Sequence, residues 1–313
     1  MNRGTDTLHR FIIERSRVRG EVVRLDSTLR ALEGENEYPP PVRQLLAETA
    51  AATALLAATI KFEGHLTLQV KGNGPVSLLV VEATANGTLR GIARHADVVP
   101  DAGIRTLMGA GHLVMTIDPG PGRDRYQGIV ALDETSLVAT LQNYFTQSEQ
   151  LPTRLWLAVD DSAAAGFLLQ NLPADRSADL LETNDDWNRC VHLAATLSDA
   201  ELLHLPVERL LYRLFHQESV RLLGSSPVAF ACRCSQNSVD GTLQALGYGE
   251  IKQILKEDGL VSVRCEFCNT NYALDAVDIE YLFAGAHRPA ASDTRHRSTA
   301  VAPSPASLVR NLG

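Results

Sequence analysis

The sequence predicts an α+β protein: an N-terminal antiparallel-sheet domain with helices, then a helical linker, then a small C-terminal unit built around four cysteines. Three observations carry this expectation. Short apolar or alternating runs in the first half are separated by glycine, asparagine and proline turns, the pattern of a meander. After Pro173 the apolar residues recur at helical spacing. The cysteines gather near the C-terminal end as two tight pairs, Cys232-Arg233-Cys234 and Cys265-Glu266-Phe267-Cys268.

In chain order, His65 to Lys71 alternates polar and apolar residues, Gly72-Asn73-Gly74-Pro75 breaks it, and Val76 to Val81 is a buried-type apolar run. Asn86-Gly87 marks a turn before Thr88 to Arg94. Further strand candidates are His112 to Ile117, Tyr126 to Leu132, Arg154 to Val159 and Gly166 to Leu169. Two helices interrupt them. Val42 to Lys61 is rich in Ala and Leu and is opened by Pro41, which suits a first helical turn. Ser136 to Gln147 is the second, ended before Pro152. Strands joined mostly by hairpin-like turns and mixed with a few helices give an α+β domain over 1–176.

Residues 177–228 read as a helical linker with acidic clusters (Asp179, Glu182, Asp185, Asp186) and no strand signal. Ser198-Asp199-Ala200-Glu201 has the form of a capping box, Pro206 interrupts, and Val207 to Leu214 resumes at helical spacing. The stripe Leu203, Leu210, Leu211 and Leu214 must lie on something, since left exposed it is a sticky surface. Residues 229–285 form the cysteine unit, in which Thr242 to Leu246 and Glu250 to Glu257 read as helices with Gly247 and Gly249 as their joint. So short a unit has a thin core and is expected to need a staple. The segment 286–313, rich in Arg, Ser, Pro and Ala, is expected to be disordered.

Composition narrows the function classes. The 313 residues are 45% hydrophobic and 21% charged, with a formal net charge of −8. That acidity counts against nucleic acid or an anionic membrane as the main partner, because phosphate binding needs a basic face. Met1 to Asp6 lacks a signal-peptide apolar stretch. Ala50 to Ile60, the most apolar helical stretch, is too short to span a bilayer and contains Thr53 and Thr59. A cytoplasmic protein is expected. Five cysteines, an odd number, argue in a reducing compartment against a disulfide framework.

The cysteine pairs carry chemistry. Each pair puts two sulfurs on one turn, and residues 235–264 between them are long enough to fold back. Together Cys232, Cys234, Cys265 and Cys268 can close a tetrahedral thiolate cage, which predicts a small four-cysteine zinc domain with Zn2+ as cofactor. An iron–sulfur cluster uses the same ligand set. Four thiolates leave such a site at −2, which Arg233 and Arg264 can offset. The thiolates are also readily oxidised. The zinc is thus either a structural staple or a redox trigger. In the second case, oxidation to disulfides expels the metal and removes on the order of 10–16 kcal/mol of folding free energy.

Other features lead to ordinary readings. Cys190 stands alone and reads as a buried helix thiol. The histidines form no metal spacing, and His204 and His216 read as helix-surface residues. Gly72-Asn73-Gly74-Pro75 and Gly109-Ala110-Gly111 read as turns, for no G-x-x-x-x-G-K-[ST] occurs. Asp160-Asp161 and Asp185-Asp186 are neighbours whose side chains diverge, a turn and a solvated helix face. No G-x-S-x-G and no H-E-x-x-H is present, so the chain is not expected to be an enzyme.

From about Asp6 to Phe283 the chain resembles the redox-regulated heat-shock chaperones of about 33 kilodaltons. The most specific part is the C-x-C…C-x-x-C set, with Glu257-Asp258-Gly259 before the second pair and Asp275-Ala276-Val277-Asp278-Ile279 after it. Val18-Arg19-Gly20-Glu21, Tyr38-Pro39 with Pro41-Val42, Gly72-Asn73-Gly74-Pro75, Arg125-Tyr126-Gln127-Gly128 and Ser148-Glu149-Gln150-Leu151-Pro152-Thr153 extend the likeness through the first half. The resemblance implies an ATP-independent holdase with an α+β N-terminal domain, zinc-bound through Cys232, Cys234, Cys265 and Cys268 and inactive when reduced. It implies that oxidation forms Cys232–Cys234 and Cys265–Cys268 disulfides, releases zinc, and unfolds the switch and linker. Apolar surface then holds unfolding client proteins, often as a homodimer, until ATP-dependent chaperones refold them. Cys190 is not part of the family's cysteine set, and the tail is longer than the family core requires.

Two other classes compete. One is a zinc-ribbon protein docking a fixed macromolecular partner, against which the acidic charge and labile linker count. The other is a thiol–disulfide oxidoreductase, which suits C-x-x-C but not the second pair or the absence of a thioredoxin-like setting. A ribbon keeps its metal under oxidant, an oxidoreductase turns over a disulfide substrate, and a switch loses metal reversibly.

Overall fold

The computed structural model describes residues 6–60, 63–120, 122–132, 135–149, 151–173 and 180–284. The expected disordered tail, 286–313, and Asp179 lie outside the described residues. The chain divides into two compact units, Met1–Ala231 and Cys232–Gly313. The architecture is α+β, with antiparallel sheets as the turn pattern implies.

The first unit is organised around one helix. Strands β1 (Thr7–Ile13) and β2 (Val18–Leu25) form a hairpin, followed by α1 (Ser27–Glu33) and α2 (Pro40–Thr59). Next come β3 (His65–Gly72), β4 (Val76–Thr84), β5 (Thr88–His95), α3 (Ile104–Met108), β6 (Gly111–Asp118) and β7 (Tyr126–Ala131). Then α4 (Leu137–Tyr144) runs into a π turn over Phe145–Glu149, before β8 (Thr153–Val159) and β9 (Ala164–Asn171). Pro40 at the start of α2 costs no hydrogen bond there. From Leu45 to Ile60 only Glu48 is charged, and Leu46, Ala50, Ala51, Leu55 and Leu56 have no exposed surface. Such a helix must be surrounded. It packs between two sheets, and the alanines let both backbones come close. Thr49 and Thr53 are buried with it because each hydroxyl donates to a carbonyl one turn back, at 2.7 Å to Leu45 and 2.6 Å to Thr49.

The expected strands from His65 to Leu169 all form; the ladders carry β4 three residues further, to Thr84, and extend β9 by two residues at each end, while β7 stops one residue earlier, at Ala131. Strands β1 and β2 and helices α1 and α3 have no counterpart among the sequence expectations. One expectation is corrected. The sequence of 177–228 reads as helical throughout, with no strand; α5 (Leu180–Ala194), α6 (Asp199–His204) and α7 (Val207–Phe215) form, but Val220–Pro227 is a strand, β10. It pairs antiparallel along β1, with a register shift at Arg10/Phe11. An apolar stretch as short as Val220 to Leu223 fits either period, and the open side of β1 decides it. The two-residue strand β11 (Ala229–Phe230) then pairs parallel with β5. The first sheet thus runs β10-β1-β2-β9-β8, and the second β11-β5-β4-β3-β6-β7.

The far face of the first sheet is also apolar. Phe11, Ile13, Val18, Val22, Phe167 and Leu169 project there, covered by Trp187, Cys190, Leu202, Leu210, Leu211, Leu214 and Phe215 of α5 to α7. The leucine stripe of the sequence is therefore a docking face, with Leu203 partly buried at its side. The rings of Phe11 and Phe167 lie 5.7 Å apart. Gly20 permits this, since a Cβ there would sit 2.0 Å from the Phe11 ring. The capping box at Ser198 and Glu201 is formed as expected. The turn readings also stand. Asp160 accepts from the Ser162 and Ala163 amides, and Asn73 Oδ1 accepts from the Ala110 amide, so the two glycine loops bind each other.

One buried charge departs from this apolar plan. Glu21 on β2 is 3% exposed, shares the α2-facing side with Val23 and Leu25, and its Oε2 has no hydrogen-bond partner. Burial raises its carboxyl from 4.5 to about 7, against the opposing pull of Arg19 and Arg10. The folded state therefore holds a proton that the unfolded chain releases between those values, so this group's contribution to stability falls as pH rises through that window. Glu21→Gln should abolish the slope and gain on the order of 2 kcal/mol over the parent at pH 8 relative to pH 5. Urea unfolding at both pH values measures this; parallel curves would show an ordinary Glu21 carboxyl.

Candidate metal centre

The second unit gathers its sulfurs with little core to help. After Cys232 and Cys234 come α8 (Gln236–Leu246) and α9 (Tyr248–Asp258), then the hairpin β12 (Val261–Arg264) and β13 (Asn271–Leu274), then α10 (Ala276–Ala284). The two expected helices are longer than predicted, and only Gly247, with φ of 91°, is the joint; Gly249 lies inside α9. The buried core is Val239, Leu243, Ile251, Val261, Leu274 and Ile279.

Each cysteine pair is presented by a device legible in its neighbours. The first pair precedes α8, whose N-cap Ser235 accepts from the Ser238 amide at 3.2 Å. The second pair forms the turn of the β12–β13 hairpin. The Cys265 amide donates to the Thr270 carbonyl at 2.9 Å, and the Asn269 amide to the Cys265 carbonyl at 2.8 Å. Closing so tight a turn needs a left-handed residue, and Asn269, with φ of 59°, supplies it. Amides of Cys268 and Phe267 then point at the Cys265 sulfur, and the Thr270 amide at that of Cys268. This is the knuckle that C-x-x-C spacing implies.

All four sulfurs lie within 4.8 Å of one another. Cys232 and Cys265 Sγ are 3.7 Å apart, and Cys234 and Cys268 Sγ 3.3 Å. All four are unbonded thiols, half-buried. A tetrahedral ion with bonds of about 2.3 Å sets its sulfurs about 3.8 Å apart. The set therefore fits Zn2+ in spacing, in number and in softness. Arg233 and Arg264 are exposed beside the cluster.

The hydroxyls around the cluster have no forerunner in the sequence reading. Tyr272 on β13 donates to Cys234 Sγ at 3.1 Å, and Thr270 Oγ1 lies 3.2 Å from Cys268 Sγ. Hydroxyl residues two and four positions beyond Cys268 are the signal that marks them. Burial pushes the Cys234 thiol up to about 12, opposed by Tyr272 and reinforced by the sulfurs of Cys268, Cys232 and Cys265. Burial likewise raises Cys265, against the amides of Cys268 and Phe267. Burial also raises Cys268, but Thr270 and the sulfurs of Cys234 and Cys232 outweigh it and bring that thiol to about 7. The surroundings thus favour the thiolate most at Cys268 and least at Cys234.

Cys190 is elsewhere, fully buried on α5 in the first unit. Burial pushes its thiol up, with the Ser16 hydroxyl opposing, so it is an inert core thiol as expected. His204 is on the surface of α6, 3.5 Å from Asp160. Among the described residues no other group of three or more Cys, His, Asp or Glu has metal-ligand spacing, and no helix is long and apolar enough to cross a membrane.

The family model of the Hsp33 protein matches residues 6–275. The chain belongs to the Hsp33 family. A relative named 33 kDa chaperonin from Nitrosococcus oceani is 45% identical over 93% of this chain and 99% of its own length. Another of that name from Azotobacter vinelandii is 49% identical with the same coverage. The crystal structure of the 33 kDa chaperonin of Thermotoga maritima superposes with a TM-score of 0.78 over 90% of this chain and 99% of that one. At 21% identity it shows that the fold is shared.

Because Tyr272 holds a sulfur from outside the ligand set, Tyr272→Phe should lower zinc affinity about 10-fold or more. Competition with a chromophoric chelator measures it, and unchanged affinity would remove Tyr272 from the centre.

Proposed function

We propose that the protein is a redox-regulated, ATP-independent holdase of the cytoplasm, switched by oxidation of zinc-bound Cys232, Cys234, Cys265 and Cys268. The observation that carries this reading is the close four-sulfur cluster in a unit whose buried core, among the described residues, has only six members. Family membership and the chaperonin naming of relatives support the class of activity. The absence of a conventional catalytic motif fits a binding protein rather than an enzyme.

In the reduced chain the four cysteines hold zinc, which cross-links the entry to α8 with the β12–β13 turn and supplies on the order of 10–16 kcal/mol of folding free energy. A thiolate sulfur attacks one oxygen of the peroxide, breaking the O–O bond, releasing hydroxide and leaving a sulfenic acid; a second thiolate then displaces hydroxide from that sulfur to close the disulfide. Each disulfide thus forms from two thiolates, and the two electrons reduce one peroxide to two waters once protons are taken up. We assign the pairs as Cys232–Cys234 and Cys265–Cys268, following the family. Four sulfurs tied as disulfides are no longer a ligand set, and a core of six buried residues does not hold the unit alone.

The covered surface is in the first unit. We read 1–176 as the chaperone core, 177–228 as the linker and 229–285 as the switch. The chain passes from α7 through β10 and β11 directly into Cys232. Undocking of α5 to α7 would bare the aromatic and aliphatic face of Phe11, Phe167, Val22 and Leu169, suited to apolar segments of unfolding clients. Homodimerisation on oxidation, and hand-over to ATP-dependent refolding chaperones after reduction, complete the cycle we propose.

Peroxide with mild heat should release about one zinc per chain and confer suppression of client aggregation, read by a colorimetric zinc assay and light scattering. Oxidised protein that keeps its zinc and holds nothing would end the switch reading. Cys232→Ser should lower zinc content and raise basal holding; full metal content would take Cys232 off the ligand list.

A further inference from the structure

The joint between α6 and α7 is incomplete as a helix end. α6 has six residues, its last carbonyls have no following turn to accept from, and Pro206 brings no amide. Leu205 is extended (φ −72°, ψ 137°), and α7 begins after Pro206 without a side-chain cap. The missing donors come from the first sheet. Arg24 on β2 donates through Nε to the Leu202 carbonyl at 2.9 Å and through Nη2 to the Leu205 carbonyl. Its side chain is half-buried, and Glu208 in the first turn of α7 is close enough to act on both Arg24 and His9 of β1.

We propose that Arg24 is the latch that holds the α6–α7 joint against the first sheet and so keeps the apolar face covered in the reduced protein. This rests on the reading of that face given above and names the residue that guards it. The guanidinium suits the task because its planar fork presents two donors to two carbonyls in a fixed geometry, whereas a lysine's single flexible ammonium is not pre-organised to bridge them. A second polar contact of this joint, His204 with Asp160 at 3.5 Å, has a side chain 64% exposed and is screened. Removing Arg24 leaves carbonyl groups without donors in a half-buried joint. It leaves the leucine contacts intact, so the lid loosens rather than the sheet.

Cys190 supplies a reporter, because it is fully buried in the same apolar layer and reacts only when α5 to α7 lift. The test uses full-length, reduced, zinc-loaded protein and compares the parent with Arg24→Gln, Arg24→Lys and, as an exposed arginine control, Arg30→Gln. Alkylation of Cys190, followed by peptide mass spectrometry, should be about 10-fold faster or more in Arg24→Gln, intermediate in Arg24→Lys and unchanged in Arg30→Gln. Zinc content should stay at the parental level. Amide hydrogen exchange should rise in α6 and α7 while β2 and β9 stay protected. Parental alkylation rates in Arg24→Gln would overturn the latch, as would an equal rise of exchange across the whole sheet, which marks an ordinary packing residue. If Arg24→Gln opens but the reduced variant holds no clients, the latch stands and the client reading of the covered face falls.

Discussion

The first sheet has two apolar faces, and neither can be left in water. α2 covers one permanently: its Leu46, Leu55 and Leu56 are sealed between the two sheets, each contributing on the order of 1.5–3 kcal/mol. The other carries Phe11, Phe167 and Val22 and is covered by three short helices that follow the sheet in sequence. The architecture therefore contains a core enclosed between two sheets and a second apolar layer closed by helices on one side only. β10 follows those helices and returns the chain to the edge of β1, so α5 to α7 stay outside the ladder.

The second unit poses the opposite problem. The six buried residues among those described, with the partly buried ones packed on them, are a thin core for ordering α8 to α10 and the β12–β13 hairpin. A metal ion held by the sulfur cluster would resolve this, because binding of a structural zinc is worth on the order of 10–16 kcal/mol. The local devices are ordinary ones: a serine cap ahead of α8, a left-handed Asn269 in the knuckle, amides and hydroxyls turned onto the sulfurs.

Polar groups within the apolar layers mark where stability was given up for something else. Glu21 sits with an unsatisfied oxygen against α2, at a cost that grows with pH. Arg24, three residues on, faces the opposite side of the same strand and is satisfied by carbonyls of the lid. The alternation of one strand thus sends Glu21 into the layer against α2 and Arg24 toward the layer under α5 to α7.

The sequence by itself determined the four cysteines as one centre, the helical character of α5 to α7, the capping box at Ser198 and the meander from His65 onward. Each is written in local spacing, and local spacing is what a chain displays before it folds. It did not reveal β1 and β2, because the arginines and Glu21 within them blur the period-two pattern. It misread Val220 to Leu223, where a short apolar run fits helix and strand alike and the unfilled edge of β1 decides. Tyr272 and Thr270 look like ordinary strand and turn residues until the hairpin turns their hydroxyls onto the sulfurs. Which face α5 to α7 cover, and that Arg24 completes their joint, was decided by tertiary structure alone. A carbonyl's missing donor 178 residues away leaves no trace in local sequence.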